Sequence, residues 1–376
     1  MIRKTFDLSR VNESGVRAIL EGLRLDVENV RSHALDATTR ALEVELTSDD
    51  AIEHVETFIA NTRRTHRLIG RKVLKENRAQ NLRVIDIDGA LAASPDVQIL
   101  GDGLVGLRGD LLALFRFFER EFRKLADQYH AEDNHYPVMV PNDVLEDVGY
   151  FSHFPQHITF CSHLPGSLPL LESVAKSGQW AESLETPKQV LTPAVCLPCY
   201  KQQRGRALPR GQVRTLTMQN HVFRYEGTSF RPLSRGWDFT VRDIVFFGDE
   251  EQLTRLRSEV MDRTMELCRE LDLEVTIELA NDPFFLDVSR DKAVYQRMGE
   301  VKFELLFPLP YRNESLAASS FNLHRDFYTS VYDIRFDDGS LAESACMGFG
   351  FERWLYGFLS QKGLDPGHWP SRVFFV

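Results

Sequence analysis

The chain has 376 residues, 43% of them hydrophobic and 27% charged, enough to fill one large core or two ordinary ones and too apolar for wholesale disorder. Lys plus Arg total 45 against 55 Asp plus Glu, a formal net charge of −10, which argues against non-specific nucleic-acid binding but leaves room for a local basic patch. Five cysteines are too few for a disulfide scaffold and odd in number, so a reduced, cytoplasmic protein is expected. The start, Met-Ile-Arg-Lys-Thr-Phe-Asp, has no apolar signal-peptide core, and no apolar run approaches membrane-spanning length.

Taken in chain order, residues 4–8 suit a strand and 14–34 a helix capped by Ser14. Residues 41–46 alternate as a strand does, and Ser48 before Asp-Asp-Ala-Ile-Glu opens a second helix. The stretch 62–83 is rich in Arg, Lys and Asn, with little apolar periodicity. It reads as a linker or a solvated helix, with a boundary near residue 75. Residues 1–75 are then a small N-terminal α/β addition, and 76–376 the main domain. There, 97–107 carries Gly101, Gly103 and Gly106 between apolar residues, which suits a hairpin. Residues 109–129 hold a helical stripe of Leu111, Leu112, Leu114, Phe115, Phe118 and Phe122, and 253–271 make a second long amphipathic helix. Strand-like runs at 221–225, 239–247, 273–279 and 302–308 surround it. Antiparallel strands with helices on one face define an α+β class. No internal repeat is visible.

The chemistry starts with arginines beside carboxylates. Arg224 and Glu226 alternate, so both point to one face of a strand. Arg242-Asp243 falls in the next strand, after Phe239. The segment Cys346-Met-Gly-Phe-Gly-Phe-Glu-Arg353 reads as a glycine turn that leads into an apolar helix, a good setting for a phosphate-binding arginine. Each piece alone is more often a surface ion pair or an ordinary turn.

In that order, the three resemble the signature motifs of class II aminoacyl-tRNA synthetases, and Tyr150-Phe-Ser-His-Phe-Pro155 fits the looser first motif, a helix and strand that build a dimer interface. With Asn281-Asp-Pro-Phe-Phe285, Lys302-Phe-Glu-Leu-Leu306 and Ser320-Phe-Asn-Leu-His324, the chain is similar over residues 80–365 to the amino acid:carrier-protein ligases, relatives of the atypical zinc-dependent seryl-tRNA synthetases. The resemblance implies a class II synthetase-like antiparallel sheet flanked by helices, in a homodimer. It implies ATP as substrate with magnesium, Arg224 on the α-phosphate, Arg353 on the terminal phosphates, Glu226 on adenine or magnesium, and Phe239 stacked on the base. Arg242 would belong to the same ATP site, while Lys302, Glu304 and Asn322 would face a small amino acid. It further implies zinc held by Cys196, Asp243 and Cys346, where Asp243 stands in place of the family's Glu. The acceptor would be the phosphopantetheine thiol of a carrier protein, with no tRNA.

Read alone, Cys196-Leu-Pro-Cys199 could be a redox pair or half a zinc site, but no second Cys-x-x-Cys follows, and Pro198 with Tyr200 does not suggest a helix opening. Cys161 and Cys268 read as buried structural thiols. Three rival functions stand beside the ligase reading: a seryl-like tRNA synthetase, an inactive synthetase-like regulator, and transfer of the amino acid to a small amine or peptide.

Overall fold

The computed structural model describes residues 2–374 except 12–14, 17–18, 21, 24–28, 37, 67–71, 84, 226–229, 281–299 and 313. The N-terminal unit holds strands β1 (Ile2–Asp7), β2 (Val30–Leu35) and β3 (Ala41–Leu46), in the antiparallel order β1-β3-β2, and helix α1 (Asp50–His66). It has its own core, in which Leu42, Val44 and Leu46 of the central strand meet Val55 and Ile59 of the helix. The helix expected over 14–34 does not reach Ala34. Residues 30–35 are a strand instead, because the apolar central strand takes a partner on each side. Ser14, the expected cap, lies outside the described residues.

The stretch read as a linker is structured at both ends. Helix α1 runs to His66, and β4 (Val73–Asn77) joins the large sheet, so that sheet straddles the boundary set at residue 75. Alternating charges on β4 hid it, since an edge strand has one flank exposed. The hairpin follows as β5 (Val97–Gly101) and β6 (Leu104–Leu107), then helix α2 (Gly109–Gln128) and the short strands β7 (Glu132–Asn134), β8 (Met139–Pro141), β9 (Thr159–Cys161) and β10 (Gln189–Leu191). Helix α3 (Leu197–Gln202) comes next, then β11 (Ala207–Leu208), β12 (Arg214–Phe223), β13 (Asp238–Gly248), helix α4 (Glu250–Glu270) and β14 (Val275–Leu279). The chain closes with β15 (Lys302–Leu309), β16 (Glu314–Arg325), β17 (Arg335–Phe336), β18 (Glu343–Gly350) and helix α5 (Phe351–Lys362).

Eight strands form the large sheet in the order β4-β14-β15-β16-β18-β13-β12-β7. Every neighbouring pair is antiparallel except β12 with β7, so the sheet is mixed at one edge. Alternation along β13 explains its two buried faces: Ile244 and Phe246 enter one core, Val245 and Phe247 the other. On the first face lie α2, α4 and α5, with Trp354 ringed by Phe118, Phe122 and Phe307 at 5.2–5.6 Å. Helix α4 opens on a capping box, in which the side chains of Asp249 and Gln252 each accept the other's backbone amide. The second face is covered by the small sheet β8-β10-β9 towards the end of β12 and by α3 towards the end of β13.

Two motif placements change. Tyr150–His153 is a single helical turn followed by a 3₁₀ turn, with no strand, so the helix-then-strand pattern sits earlier, in α2 and β7. The expected glycine turn before Arg353 is the strand β18, and helix α5 starts directly after it.

Candidate functional site

The second face of the sheet carries the polar residues. Strand register sets them in rows, because directly opposed residues share a face. One row runs Asp243–Gly348–Ser320–Glu304–Glu278 across β13, β18, β16, β15 and β14. The next runs Val245–Cys346–Asn322–Lys302. Cys196 reaches the same place from the start of α3, contrary to the expectation that Cys196-Leu-Pro-Cys199 opens no helix: Pro198 sits in the first turn, where its missing N–H costs nothing.

Cys196, Asp243 and Cys346 come together, with their ligand atoms all within 4.8 Å of one another and each side chain buried. Among the described residues, no other group of three such donors meets that spacing. Burial pushes the Asp243 carboxyl up to about 6, partly opposed by hydrogen bonds from both thiols and by the Arg224 charge. The Cys346 thiol is driven well above its ordinary range by its bond with Cys196, by burial and by Asp243. Cys346 lowers Cys196 through that bond, yet burial and Asp243 leave Cys196 raised as well. Room for the carboxylate comes from Gly348, where a Cβ would stand 2.8 Å from Asp243 Oδ1 and 3.1 Å from Ser320 Oγ. Cys199 is buried beside this group, as is Cys268 in the opposite core, but Cys161 is only half-buried, contrary to its reading as a core thiol.

Arg224 and Phe239 lie at the other end of the same face, and Arg353 comes from α5 at the end of β18. Arg224 follows the last residue of β12, its Nε donates to the Pro193 carbonyl at 2.8 Å, and its guanidinium carbon stands 5.5 Å from the centre of the Phe239 ring. Arg353 is in the first turn of α5 and donates to the Ala317 carbonyl at 3.2 Å. Val241 opposes Gly350, so Phe239 and the start of α5 share that end of the sheet. Glu226 and residues 281–285 lie outside the described residues.

Arg242 does not belong to this site. Alternation sends it to the opposite face from Asp243, where it is buried, donates to Thr217 Oγ1 and Gln219 Oε1 at 3.2 and 2.7 Å, and faces Asp133 at 3.7 Å. Lys302 and Glu304 are on the site face as an ion pair at 3.0 Å, and Asn322 donates to Ser320 Oγ at 3.2 Å. Sequence reasoning missed Gly348, Ser320 and Glu278. The two-residue spacing of Ser320 and Asn322 could have revealed the former; Glu278 required the register.

Chemically, the arrangement offers cationic, planar hydrogen-bond donors at one end and a soft, acidic, three-donor set at the other. This is the layout of a class II aminoacyl-tRNA synthetase catalytic domain, and the solved structures agree on the fold. The Methanopyrus kandleri SerRS, solved with an Aquifex aeolicus tRNASec, superposes with a TM-score of 0.72 at 19% identity, covering 92% of this chain and 73% of that one. A cytoplasmic serine-tRNA ligase from Naegleria fowleri gives 0.60 at 12% identity, covering 84% and 77%. No protein-family model matches the sequence.

Among curated proteins, amino acid–acyl-carrier-protein ligase 1 of Bradyrhizobium diazoefficiens is 31% identical over 243 residues, 63% of this chain and 74% of the relative. Ligase 2 of the same organism is 31% identical over 248 residues, 65% and 74%. The type-2 serine–tRNA ligase of M. kandleri is 27% identical over 205 residues, 52% of this chain and 39% of the relative. The chain belongs to the amino acid–acyl-carrier-protein ligase family and is a ligase.

Next to Arg353, Glu352 gives a pH test of this end of the site. Both its oxygens accept the Thr240 amide, at 2.8 and 3.0 Å, yet burial pushes its carboxyl up to about 7. The folded chain therefore holds a proton that the unfolded chain loses near the usual carboxylate value. The stabilisation is complete below about pH 4.5 and is lost as pH rises towards 7. Urea unfolding of Glu352→Gln should lack this decline, and the stability difference from wild type should change by on the order of 2 kcal/mol across the window. Parallel pH profiles would show that folding does not raise the Glu352 carboxyl.

Proposed function

We propose that the chain joins a small amino acid to ATP as an aminoacyl adenylate and passes it to the phosphopantetheine thiol of a carrier protein. The observation that carries this reading is that Arg224 and Phe239 share one sheet face with the buried Cys–Asp–Cys set, while Arg353 stands at the same end on α5. Phe239 and Asp243 lie four residues apart on the same face of β13, about 13 Å, comparable to an extended aminoacyl adenylate. The family membership and the carrier named for the relatives point the same way.

In the first step, the amino acid carboxylate attacks the α-phosphorus and pyrophosphate leaves. The nucleophile is already ionised, so positioning and charge neutralisation supply the rate. Arg224 neutralises the α-phosphate, Arg353 holds the β- and γ-phosphates, and Phe239 stacks on the base. Magnesium bound to the phosphates supplies further neutralisation. In the second step, the carrier thiol attacks the adenylate carbonyl and AMP leaves, with no side-chain nucleophile needed. The reading includes a homodimer in the cytoplasm and excludes tRNA as acceptor.

Two thiols and a carboxylate buried together fit zinc: each is pushed towards its protonated form, the Arg224 charge opposing this only in part at Asp243, and a divalent cation would reverse it. Cys196, Asp243 and Cys346 would hold the zinc, which would supply a Lewis acid for the substrate's neutral amine. Asp243 is a methylene shorter than the family's Glu. It leans over Gly348, whose missing side chain leaves the carboxylate its place.

Three measurements test the reading. Arg224→Ala and Arg353→Ala should each lower amino-acid-dependent pyrophosphate exchange about a hundredfold or more. Near-normal exchange in either removes the synthetase mechanism. Metal analysis should find one zinc per chain, lost in Cys196→Ser and Cys346→Ser and kept in Asp243→Glu. Full exchange by metal-free protein refutes the metal's role. Mass spectrometry should show amino acid on the holo-carrier alone, and equal labelling of the apo-carrier or loading of bulk tRNA identifies a different acceptor.

A further inference from the structure

The hairpin β5–β6 leans on the loop between β12 and β13, which begins at Arg224. Gly103, at the hairpin turn, has φ +69°, and its carbonyl accepts the amides of Trp237 and Asp238 at 2.9 and 3.4 Å. The Trp237 carbonyl in turn accepts the Arg224 amide at 2.9 Å. One residue thus connects the hairpin tip to the backbone of Arg224. Trp237 is held from other sides as well. Its indole Nε1 donates to Thr159 Oγ1 at 2.8 Å, and its ring lies edge-on to Tyr225 and parallel to Phe230, with centroids at 4.9 and 6.2 Å. The fit at the tip is close: a Cβ on Gly103 would stand 2.5 Å from the Trp237 amide nitrogen and 2.5 Å from the Phe230 ring. The hairpin's base is fixed, with Val97 in the helix-side core and the Arg108 amide bonded to the Asp96 carbonyl at 3.0 Å. Past Trp237, the chain enters β13 at Asp238, one residue before Phe239.

We propose that the β5–β6 hairpin is a strut that sets where Arg224 and Phe239 meet ATP, with Gly103 as the positioning residue at its tip. The proposal rests on the reading of Arg224 as a phosphate ligand. Loops carrying charged ligands are mobile unless tied, and a displacement of about 1 Å at a positioning group can cost on the order of a hundredfold in rate. The hairpin ties this loop from outside the sheet, through Gly103 at its tip and Val97 at its base.

The test is equilibrium ATP binding together with pyrophosphate exchange, on the full chain carrying Gly103→Ala, Thr159→Val or Arg224→Ala. Gly103→Ala should raise the Kd for ATP about tenfold or more, and Thr159→Val, which removes only the indole's acceptor, roughly three- to tenfold. The KM for the amino acid and the zinc content should stay at wild-type values. Unchanged ATP affinity in folded Gly103→Ala overturns the proposal. If that variant does not fold, Thr159→Val takes its place, and unchanged affinity there overturns it equally. An amino-acid KM that rises as much as the Kd for ATP overturns it too, because the effect would then be general loosening. Arg224→Ala separates the two readings: intact ATP affinity there removes the phosphate ligand and the strut with it. Weakened affinity there, with none lost in the other two variants, removes the strut alone.

Discussion

Two thiols and a carboxylate sealed together away from water set the main constraint on this molecule. Each of Cys196, Asp243 and Cys346 is displaced towards its neutral form, and the Arg224 charge relieves that only in part at Asp243. Such a donor set is costly to bury, and a bound cation of the kind proposed above would relieve that cost. Three separate segments must converge on it: the start of α3 brings Cys196, the middle of β13 Asp243, and β18 Cys346. The register of the sheet and the cover over its second face both serve that convergence.

The sheet can meet this demand because its two faces do different work. The first is closed by three long helices and by interlocking rings around Trp354, whose indole also bonds Ser319 Oγ at 2.8 Å. That apolar face supplies most of the burial, so the second face can carry polar residues in the middle of strands. The difference is clearest at Arg242 and Asp243, adjacent in sequence and on opposite sides. One cross-links strands β12 and β13 under the helices; the other belongs to the buried donor set.

Position along the strands then sorts the chemistry. Towards Phe239 and Gly350, the face ends in the arginines and the first turn of α5, where a helix N-terminus also favours anions. Towards Cys346 and Lys302, it turns to acids, amides and thiols. The β5–β6 hairpin and the small sheet β8-β10-β9 brace the first end, and α3 packs towards the second, with Tyr200 edge-on to Phe247.

Much of this was legible in the sequence, and the exceptions have a common cause. Helices α2 and α4 and strands β13 to β15 were readable because their apolar residues repeat at helix or strand periods, which local sequence displays directly. The order of Arg224, Phe239, Cys346 and Arg353 indicated a class II synthetase, and the segments at 281–285, 302–306 and 320–324 narrowed it to the family. Strand β4 and the strand at 30–35 were not readable, since each is set by a partner far away in the chain. The same holds for the site. Sequence named Cys196, Asp243 and Cys346 as candidates, but it also assigned Arg242 to the ATP end and took β18 for a turn. Only pairing decides which face a strand residue occupies and what lies opposite it. Gly348 acquires its meaning from Asp243 across β13, and Gly103 from Trp237 in a distant loop. Residue types and their spacing determined the repertoire of chemistry, and the tertiary structure decided which groups share a face, because side-chain direction alternates at every residue while register is fixed between strands.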